Sequence, residues 1–427
     1  MSTTKKQEVI IVGGGPAGAA SALYLLQLGI KPLILEKERF PRYHIGESLT
    51  GEVGGCLREL GLEQVMQAAN WPVKHGVNVY GAGGKNSFWV PVKKRDENKM
   101  QQAATTWQVR RSVFDQTLLD SALARGAELM PCRAVAPLME DDRVTGVRIR
   151  TPQGSAEDLL SQVVIDASGM STFLANTGAP MGEKGRGNYD KQVAVFSQVV
   201  NAIRDPGEAE GNTLIFYRQK NNWAWFIPID SEVVSVGVVV PGEYYNSQKL
   251  SKHDFLQQEL RTLNPELARR IQDWTFVEDV HSASNYSYHI KQFTGKGFLC
   301  AGDSHRFIDP IFSFGVNFAL KEGKYAAAAI MKYLSGETQN QTNPFAEYQA
   351  ISEDGQDIIQ DLVDVFWENP LPFVALVHYK HPEGMIDLFA GRIFRDEPRD
   401  EKAMLALRRC KYGADYVAQA SSLQEPN

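Results

Sequence analysis

The chain has 427 residues, enough for two or three hydrophobic cores, and its composition of 43% hydrophobic and 22% charged residues is that of a globular protein. A net charge of −6 speaks against nucleic acid as a partner, because such proteins present a basic face. No run of about 18 apolar residues is present, so no membrane span is expected.

The start of the chain runs from a short basic tail into a strand that ends in glycines rather than in a cleavage site, so a cytoplasmic protein is expected. The cysteines, Cys56, Cys132, Cys300 and Cys410, are scattered. They form no CxxC pair, and small apolar core residues are expected rather than a metal site or a disulfide framework.

Residues 8–12 (EVIIV without its first Glu's polarity) form a short apolar run before glycines, which predicts a buried parallel strand. Residues 16–28 carry small and apolar residues at helical spacing, and 32–36 read as a second strand. Together they make a βαβ unit. From about 75 to 106 short strands with glycine and charged turns follow. A helix is predicted over 107–126, with Phe114, Leu118, Leu119 and Leu123 on one face. Strand-like runs lie at 143–149 and 162–166. Between 192 and 241 four β-rich runs read as neighbouring antiparallel strands of a second sheet. Residues 297–302 return to a buried strand, helical patterns dominate from about 316, and the last ten residues look frayed.

The chemistry begins at Gly13, Gly15 and Gly18, a GxGxxG within GGGPAG. Gly13 permits a tight turn, Gly15 lets the backbone approach a pyrophosphate, and Gly18 lets the helix pack on the strand. Pro16 and Ala17 open that helix, whose free N–H groups suit phosphate. Glu36 ends the next strand 18 residues after Gly18, where a carboxylate meets a ribose hydroxyl, and Lys37 follows it. A chance glycine turn would explain the glycines alone, but not this strand–turn–helix context.

Residues 163–169 (VVIDASG) and 297–303 (GFLCAGD) each put a strand before a glycine turn with an acid. The second resembles the distal FAD signature of flavin monooxygenases, which implies that Asp303 contacts the ribityl chain. Arg111 lies where that superfamily has an FAD-contacting Arg; an exposed charge at a helix start is the plain alternative. With one good GxGxxG, no separate nicotinamide domain is found, and reduced FAD is expected from a separate flavin reductase.

Three further segments carry a more specific resemblance, to the flavin-dependent halogenases, over residues 8 to 335 or so. Trp223-Ala224-Trp225-Phe226-Ile227-Pro228 resembles the family's WxWxIP signature. Alternate residues of a strand share a face, so the two indoles, with Ile227 and Pro228, are expected to keep an organic substrate from the flavin while small O2 and halide pass. An aromatic core strand is the alternative. Lys74, in WPVKHGVNVYG, fits the family's KxG segment. The resemblance implies that Lys74 is the catalytic residue, an amine between flavin and substrate that traps or polarises hypohalous acid. Such a Lys is expected to be desolvated, with a lowered pKa, whereas an ordinary Lys is a solvated surface charge. Phe307-Ile308-Asp309-Pro310-Ile311-Phe312-Ser313-Phe314-Gly315-Val316 resembles the FxxPxxSxG segment of the phenol-acting branch. Ser313, Phe314 and Gly315 at the helix start become the halide candidates, and Pro310, Gly315 and Val316 flavin contacts. A helix-entry loop is the alternative. A smaller match is the segment 40–49, containing Gly46-Glu47-Ser48, whose Arg42 and Ser48 are expected beside the flavin; a surface hairpin is the alternative for Arg42, Tyr43 and His44.

The resemblance implies an α/β fold: a Rossmann-type FAD-binding domain of the flavin monooxygenase (glutathione-reductase-like) type with an inserted antiparallel β-sheet domain. The expected division is 1–74, 107–180 and 291–335 for the FAD-binding domain, 75–106 and 181–290 for the substrate-side sheet, and 336–427 for a short helical C-terminal region. It also implies an enzyme that uses reduced FAD, O2 and chloride or bromide to form hypohalous acid, which reaches Lys74 and halogenates an electron-rich ring. The tryptophan-acting branch has a Glu where this chain has Phe312. A phenol activates its own ring, so a tyrosyl-like phenol, free or on a peptidyl carrier protein, is the expected substrate, with Phe312 on the substrate side. The rivals are an aromatic monooxygenase, a geranylgeranyl-reductase-like oxidoreductase, and an inactive flavin-binding partner subunit. The apolar segment 370–377, with Leu388, Phe389, Ile393 and Phe394, reads either as core packing or as a surface for a carrier protein.

Overall fold

In the computed structural model, which describes residues 6–284 and 286–413, the N-terminal apolar run becomes the strand Gln7–Val12, four of its six residues being buried. It pairs in parallel with Leu33–Glu36 on one side and with the second half of Ala156–Asp166 on the other. Glu128–Pro131 and Phe298–Cys300 extend the parallel sheet at its two ends. The run expected at 162–166 is the end of a longer strand. Residues 156–160 of that strand pair antiparallel with Arg143–Arg150, which in turn pairs with Arg133–Glu140. Only the buried parallel half is continuously apolar, which is why the sequence pattern showed that half alone.

The helix Pro16–Gln27 packs on this sheet and against the long helix Gly315–Leu334. Small residues allow the crossing to be close. A Cβ on Gly323 would lie 2.8 Å from the Ser21 nitrogen. The helix predicted over 107–126 is Arg111–Ala124, because residues Thr106–Trp107 instead pair as a strand with Val73–Lys74.

The second sheet runs in the order Thr275–Phe276, Gln192–Val200, Val234–Pro241, Asn222–Pro228, Thr213–Gln219, Gly76–Tyr80, Asn86–Pro91. The four runs between 192 and 241 are antiparallel as expected, with the first beside the last. Its two faces separate by alternation. Val195, Phe216, Phe226 and Val238 pack under Phe255 and Leu260 of the helix Lys252–Thr262. Phe196, Ile215, Trp223, Trp225 and Ile227 face the other way, toward the C-terminal helices and the site.

The C-terminal helices are Ala346–Glu368, Pro370–Ala375, Pro382–Ala390 and Glu401–Tyr412, with a π-helical turn Leu376–Lys380. Phe373, Leu376, Leu388, Ile393 and Phe394 are buried, so the segment read as core or surface is mostly core; Leu371 and Tyr379 are exposed. The last ten residues lie outside the described ones. Among the described residues no helix is long and apolar enough to cross a membrane. Cys56, Cys132 and Cys300 are buried and Cys410 half-buried.

Candidate functional site

One elongated cavity of about 750 Å3 runs from the glycine turn to the inner face of the second sheet, within the size range of cofactor and ligand sites. Gly13, Gly15, Pro16, Ala17, Glu36, Lys37, Arg42, Ser48, Arg111, Asp303, Pro310, Ser313, Phe314, Gly315, Val316, Trp223, Trp225 and Ile227 all line it. Gly18 lies beneath the helix instead. A Cβ there would stand 1.9 Å from the Gly13 carbonyl oxygen.

At the nucleotide end, Gly13 adopts φ +107° and passes so near the turn after Ala156–Asp166 that a Cβ would lie 2.4 Å from Ala167 O. The helix Pro16–Gln27 begins without a side-chain cap, which leaves its first amides facing the cavity. Glu36 is buried, and each of its oxygens accepts a backbone N–H, from Gly14 at 2.7 Å and from Glu38 at 2.8 Å. Its carboxylate is thereby held at the cavity wall. The cradle, the uncapped helix and the fixed acid together fit the adenosine and pyrophosphate parts of FAD. Asp166, the acid of the other strand–turn, accepts from the Ser168 and Leu174 amides and holds its own loop.

Arg111 is not an exposed helix-start charge. It is buried, makes a two-pronged ion pair with Asp115 (2.7 and 3.0 Å), and donates to Ile45 O at 2.7 Å. It thus fastens the 40–48 loop to the helix Arg111–Ala124. Arg42 approaches the same Asp115 at 3.5 Å. Asp303 sits in the short turn Gly302–Ser304. Burial pushes its carboxyl up to about 7, with the Arg111 charge pulling it back. The backbone amide of Gly302 is anchored from below by Glu322, at 2.6 Å.

At the far end, the chain turns through Pro310–Phe312, Ser313 takes a left-handed conformation, and the helix Gly315–Leu334 starts with no side-chain cap. The Ser313 N–H is already donated to Pro310 O at 3.0 Å, so the amides that follow it are the ones left to meet an anion. The rings of Trp223 and Trp225 lie 5.8 Å apart, both pointing into the cavity, and Trp225 donates to Ser235 Oγ at 3.1 Å. Pro228 ends the strand and does not line the cavity.

Phe312 is a correction to the sequence reading. It does not line the cavity. The tight turn directs it outward, edge-on against Phe366 at 5.2 Å and Phe389 at 4.9 Å. Its place is in the aromatic core beneath the C-terminal helices.

Lys74 stands one layer behind the wall. Its Nζ donates to Ser48 Oγ at 2.8 Å and to Leu49 O at 2.9 Å, and Ser48 Oγ is 2.7 Å from Thr213 Oγ1. Ser48 and Thr213 line the cavity. Lys74 is 3% exposed, and burial alone brings its pKa down to about 7.

Two buried acids in the wall were not singled out from the sequence, although both lie in the motifs that were. Burial pushes Glu47 up to about 7 against hydrogen bonds from Ser235 and Gln198. Asp309 is likewise pushed up to about 7 by burial, against the Ile311 amide. Thr213 and Gln108, which complete the hydroxyl cluster, carried no sequence signal.

The family model described as FAD binding domain matches residues 6–353. A 1H-pyrrole-2-carbonyl peptidyl-carrier-protein brominase from Pseudoalteromonas luteoviolacea (strain 2ta16) is 38% identical over 373 residues, 87% of this chain and 88% of that protein. The corresponding chlorinase of Pseudomonas fluorescens is 28% identical over 389 residues, 87% of this chain and 85% of that one. Among solved structures, a flavin-dependent brominase superposes with a TM-score of 0.87 at 34% identity, covering 98% of this chain and 100% of its own. The myxobacterial chondrochloren halogenase gives a TM-score of 0.77 at 26% identity, covering 96% and 97%.

Proposed function

Since the chain belongs to the flavin-dependent halogenases of the FAD-binding family, we propose that it halogenates a pyrrole-2-carbonyl group carried on a peptidyl carrier protein, with Lys74 as its catalytic amine. FAD is its cofactor and halide its co-substrate. The observation that carries the reading is the buried Lys74, an amine with a pKa near 7 behind two hydroxyls of the cavity wall.

Reduced FAD, when bound, supplies the two electrons with which O2 and halide yield hypohalous acid. Gly13, Gly15, Glu36, Arg111 and Asp303 would hold it. The uncapped start of Gly315–Leu334 offers amides to the halide. Trp223 and Trp225 narrow the passage and keep the ring from the flavin. Lys74, partly neutral at neutral pH, donates to or captures hypohalous acid while excluded from water. The protein's contribution is chiefly position. A separate flavin reductase would supply the reduced cofactor, since the chain has one dinucleotide turn.

The substrate ring rests on the relative that is 38% identical along nearly its whole length, which acts on a carrier-bound pyrrole. The tyrosyl-like phenol expected from Phe312 loses its support in the site, because that side chain packs on Phe366 and Phe389. A pyrrole meets the same electronic demand, its nitrogen donating into the ring.

The test is mass spectrometry of reactions given reduced FAD, O2, bromide and, in turn, pyrrolyl carrier protein, tyrosyl carrier protein, a free phenol and free tryptophan. A bromine isotope pattern on the pyrrolyl carrier is expected. Bromination of the tyrosyl carrier alone would restore the phenol, and efficient conversion of free tryptophan would overturn the carrier reading.

A further inference from the structure

Asp309 stands in the cavity wall with half its acceptor capacity unmet. The residue is 7% exposed. Its Oδ1 accepts the Ile311 N–H at 2.9 Å and so caps the turn Pro310–Phe312. Its Oδ2 is buried and has no partner. Around it the wall is made of Tyr286, Ile308, Ile311 and Trp223. A buried acceptor left without a donor costs about 1–3 kcal/mol, more when charged, and such groups in folded proteins ordinarily have a partner. Tyr286 is held in its neutral form by burial and by the negative charge of Asp309. The unmet oxygen therefore asks for a donor that arrives in the cavity.

We propose that Asp309 Oδ2 accepts the hydrogen bond of the substrate ring's own polar hydrogen, the N–H of a pyrrole or the O–H of a phenol, and carries the ring's charge through the substitution. The inference rests on the reading above that such a ring enters this cavity. A ring carbon forms its bond to halogen with a π pair as the halogen–oxygen bond breaks, that pair leaving with oxygen. The ring, now cationic, shares its charge with the N–H or O–H that Asp309 holds. The C–H bond then breaks, its pair returns to the ring, and the proton and the released hydroxide make water. Ring–H and hypohalous acid thus become ring–halogen and water. A hydrogen bond to an ionised acceptor is roughly twice as strong as a neutral one, and it strengthens as the ring gains positive charge, so it favours the transition state over the ground state. Asp309 supplies, three residues earlier in the chain, the carboxylate that Phe312 lacks.

The test compares pyrrolyl carrier protein with its N-methylpyrrolyl counterpart on wild type, Asp309→Asn and Asp309→Glu. Asn keeps an oxygen to cap Ile311 but places an NH2, a donor, where Oδ2 stood. Wild type is expected to favour the N–H ring by about 100-fold, the scale of one well-placed proton-handling group. Asp309→Asn should lose that preference, with kcat on the N–H ring falling by a similar factor. FAD affinity and the hypohalous acid captured by a small dye in solution should be unchanged. Asp309→Glu keeps the carboxylate and should restore the preference in part. An Asp309→Asn variant that discriminates between the two rings as wild type does overturns the proposal. If the tyrosyl carrier is the one halogenated, the pyrrole reading falls, and tyrosyl against O-methyltyrosyl carrier gives the same comparison, with lost discrimination supporting the role of Asp309 and retained discrimination overturning it.

Discussion

Lys74 donates to Ser48 Oγ at 2.8 Å, and through that hydroxyl the amine reaches the cavity without lining it. Lys74, Ser48 and Thr213 form a short chain of hydrogen bonds whose outer members face the site. Hypohalous acid need only meet those hydroxyls, or displace one by a side-chain rotation, to come under the influence of the amine.

Replacing Lys74 with Ala should abolish halogenation while reduced flavin continues to be oxidised and peroxide accumulates. The amine acts after oxygen has been reduced, and the FAD cradle at Gly13 and Glu36 does not involve it. A change confined to the chemical step lowers kcat and leaves cofactor binding intact. The check is parallel measurement of halogenated product, flavin oxidation and peroxide. Product formation near the wild-type rate would remove Lys74 from the mechanism.

The same burial has a consequence for stability. In the unfolded chain Lys74 binds its proton with a pKa near 10.5, and in the fold with one of about 7. Between those values the unfolded state holds more protons, so Lys74 makes stability rise with pH across that window. Below about pH 7 the amine is charged in both states, and the cost of burying that charge is fully present. Urea unfolding of wild type and Lys74→Met should therefore diverge below pH 7, where the variant is the more stable, and converge as pH rises toward 10. A gap that stays constant over this range would mean that Lys74 keeps its proton in the folded protein.

Arg111→Ala should be among the most damaging substitutions near the cofactor. Asp115 is fully buried and its two oxygens take two donors from Arg111, leaving only Arg42 at 3.5 Å. Stranding a buried charge in this way costs about 3–5 kcal/mol. Release of Ile45 O also frees the loop that carries Ser48, so FAD should bind more weakly. Lys at 111 lacks the planar fork and should not rescue it. Urea midpoints and flavin fluorescence titration would check this; a loss below about 1 kcal/mol would show that Arg42 takes over the charge.

With one dinucleotide turn in the chain, the purified protein loaded with FAD should oxidise NADPH only when a flavin reductase is added. Absorbance at the nicotinamide band, with and without reductase, decides it. Rapid oxidation by the protein alone would require a second nucleotide site and end the two-component reading.

The sequence showed most clearly what local pattern determines. Gly13, Gly15 and Gly18 announce a turn because only glycine survives contacts as short as 1.9 and 2.4 Å at the two outer positions. The strand runs between 192 and 241 were legible from β-branched and aromatic residues. What was not legible depends on where a turn aims a side chain. Asp309 and Phe312 lie in one quoted segment, three residues apart, and a 3-10 turn sends the acid into the cavity and the ring into the core. Spacing alone does not distinguish those outcomes. Thr213 and Gln108 were invisible for another reason: they meet Ser48 and Lys74 only through strand pairing across more than 100 residues.

The last expectation concerns the floor beneath Trp225. Its cross-strand partner is Gly237, and the indole lies flat over it: a Cβ at 237 would come within 2.3 Å of the ring. The glycine has an ordinary backbone conformation, so the space for the ring, not the turn chemistry, is what it provides. Gly237→Ala must therefore lift the indole, strain its bond to Ser235 Oγ, or bend the strand. Overpacking of this kind typically costs about 1–3 kcal/mol, which a protein of this size should survive folded. The nucleotide cradle is built on the other sheet and should keep its FAD affinity. The passage beside Trp223 would change shape, so less hypohalous acid should reach the ring and more of the reducing equivalents should end as peroxide. The measurement is the ratio of halogenated product to reduced FAD consumed, compared between wild type, Gly237→Ala and Trp225→Phe. A ratio unchanged in both variants would show that the two tryptophans serve only as core and that the passage lies elsewhere in the cavity.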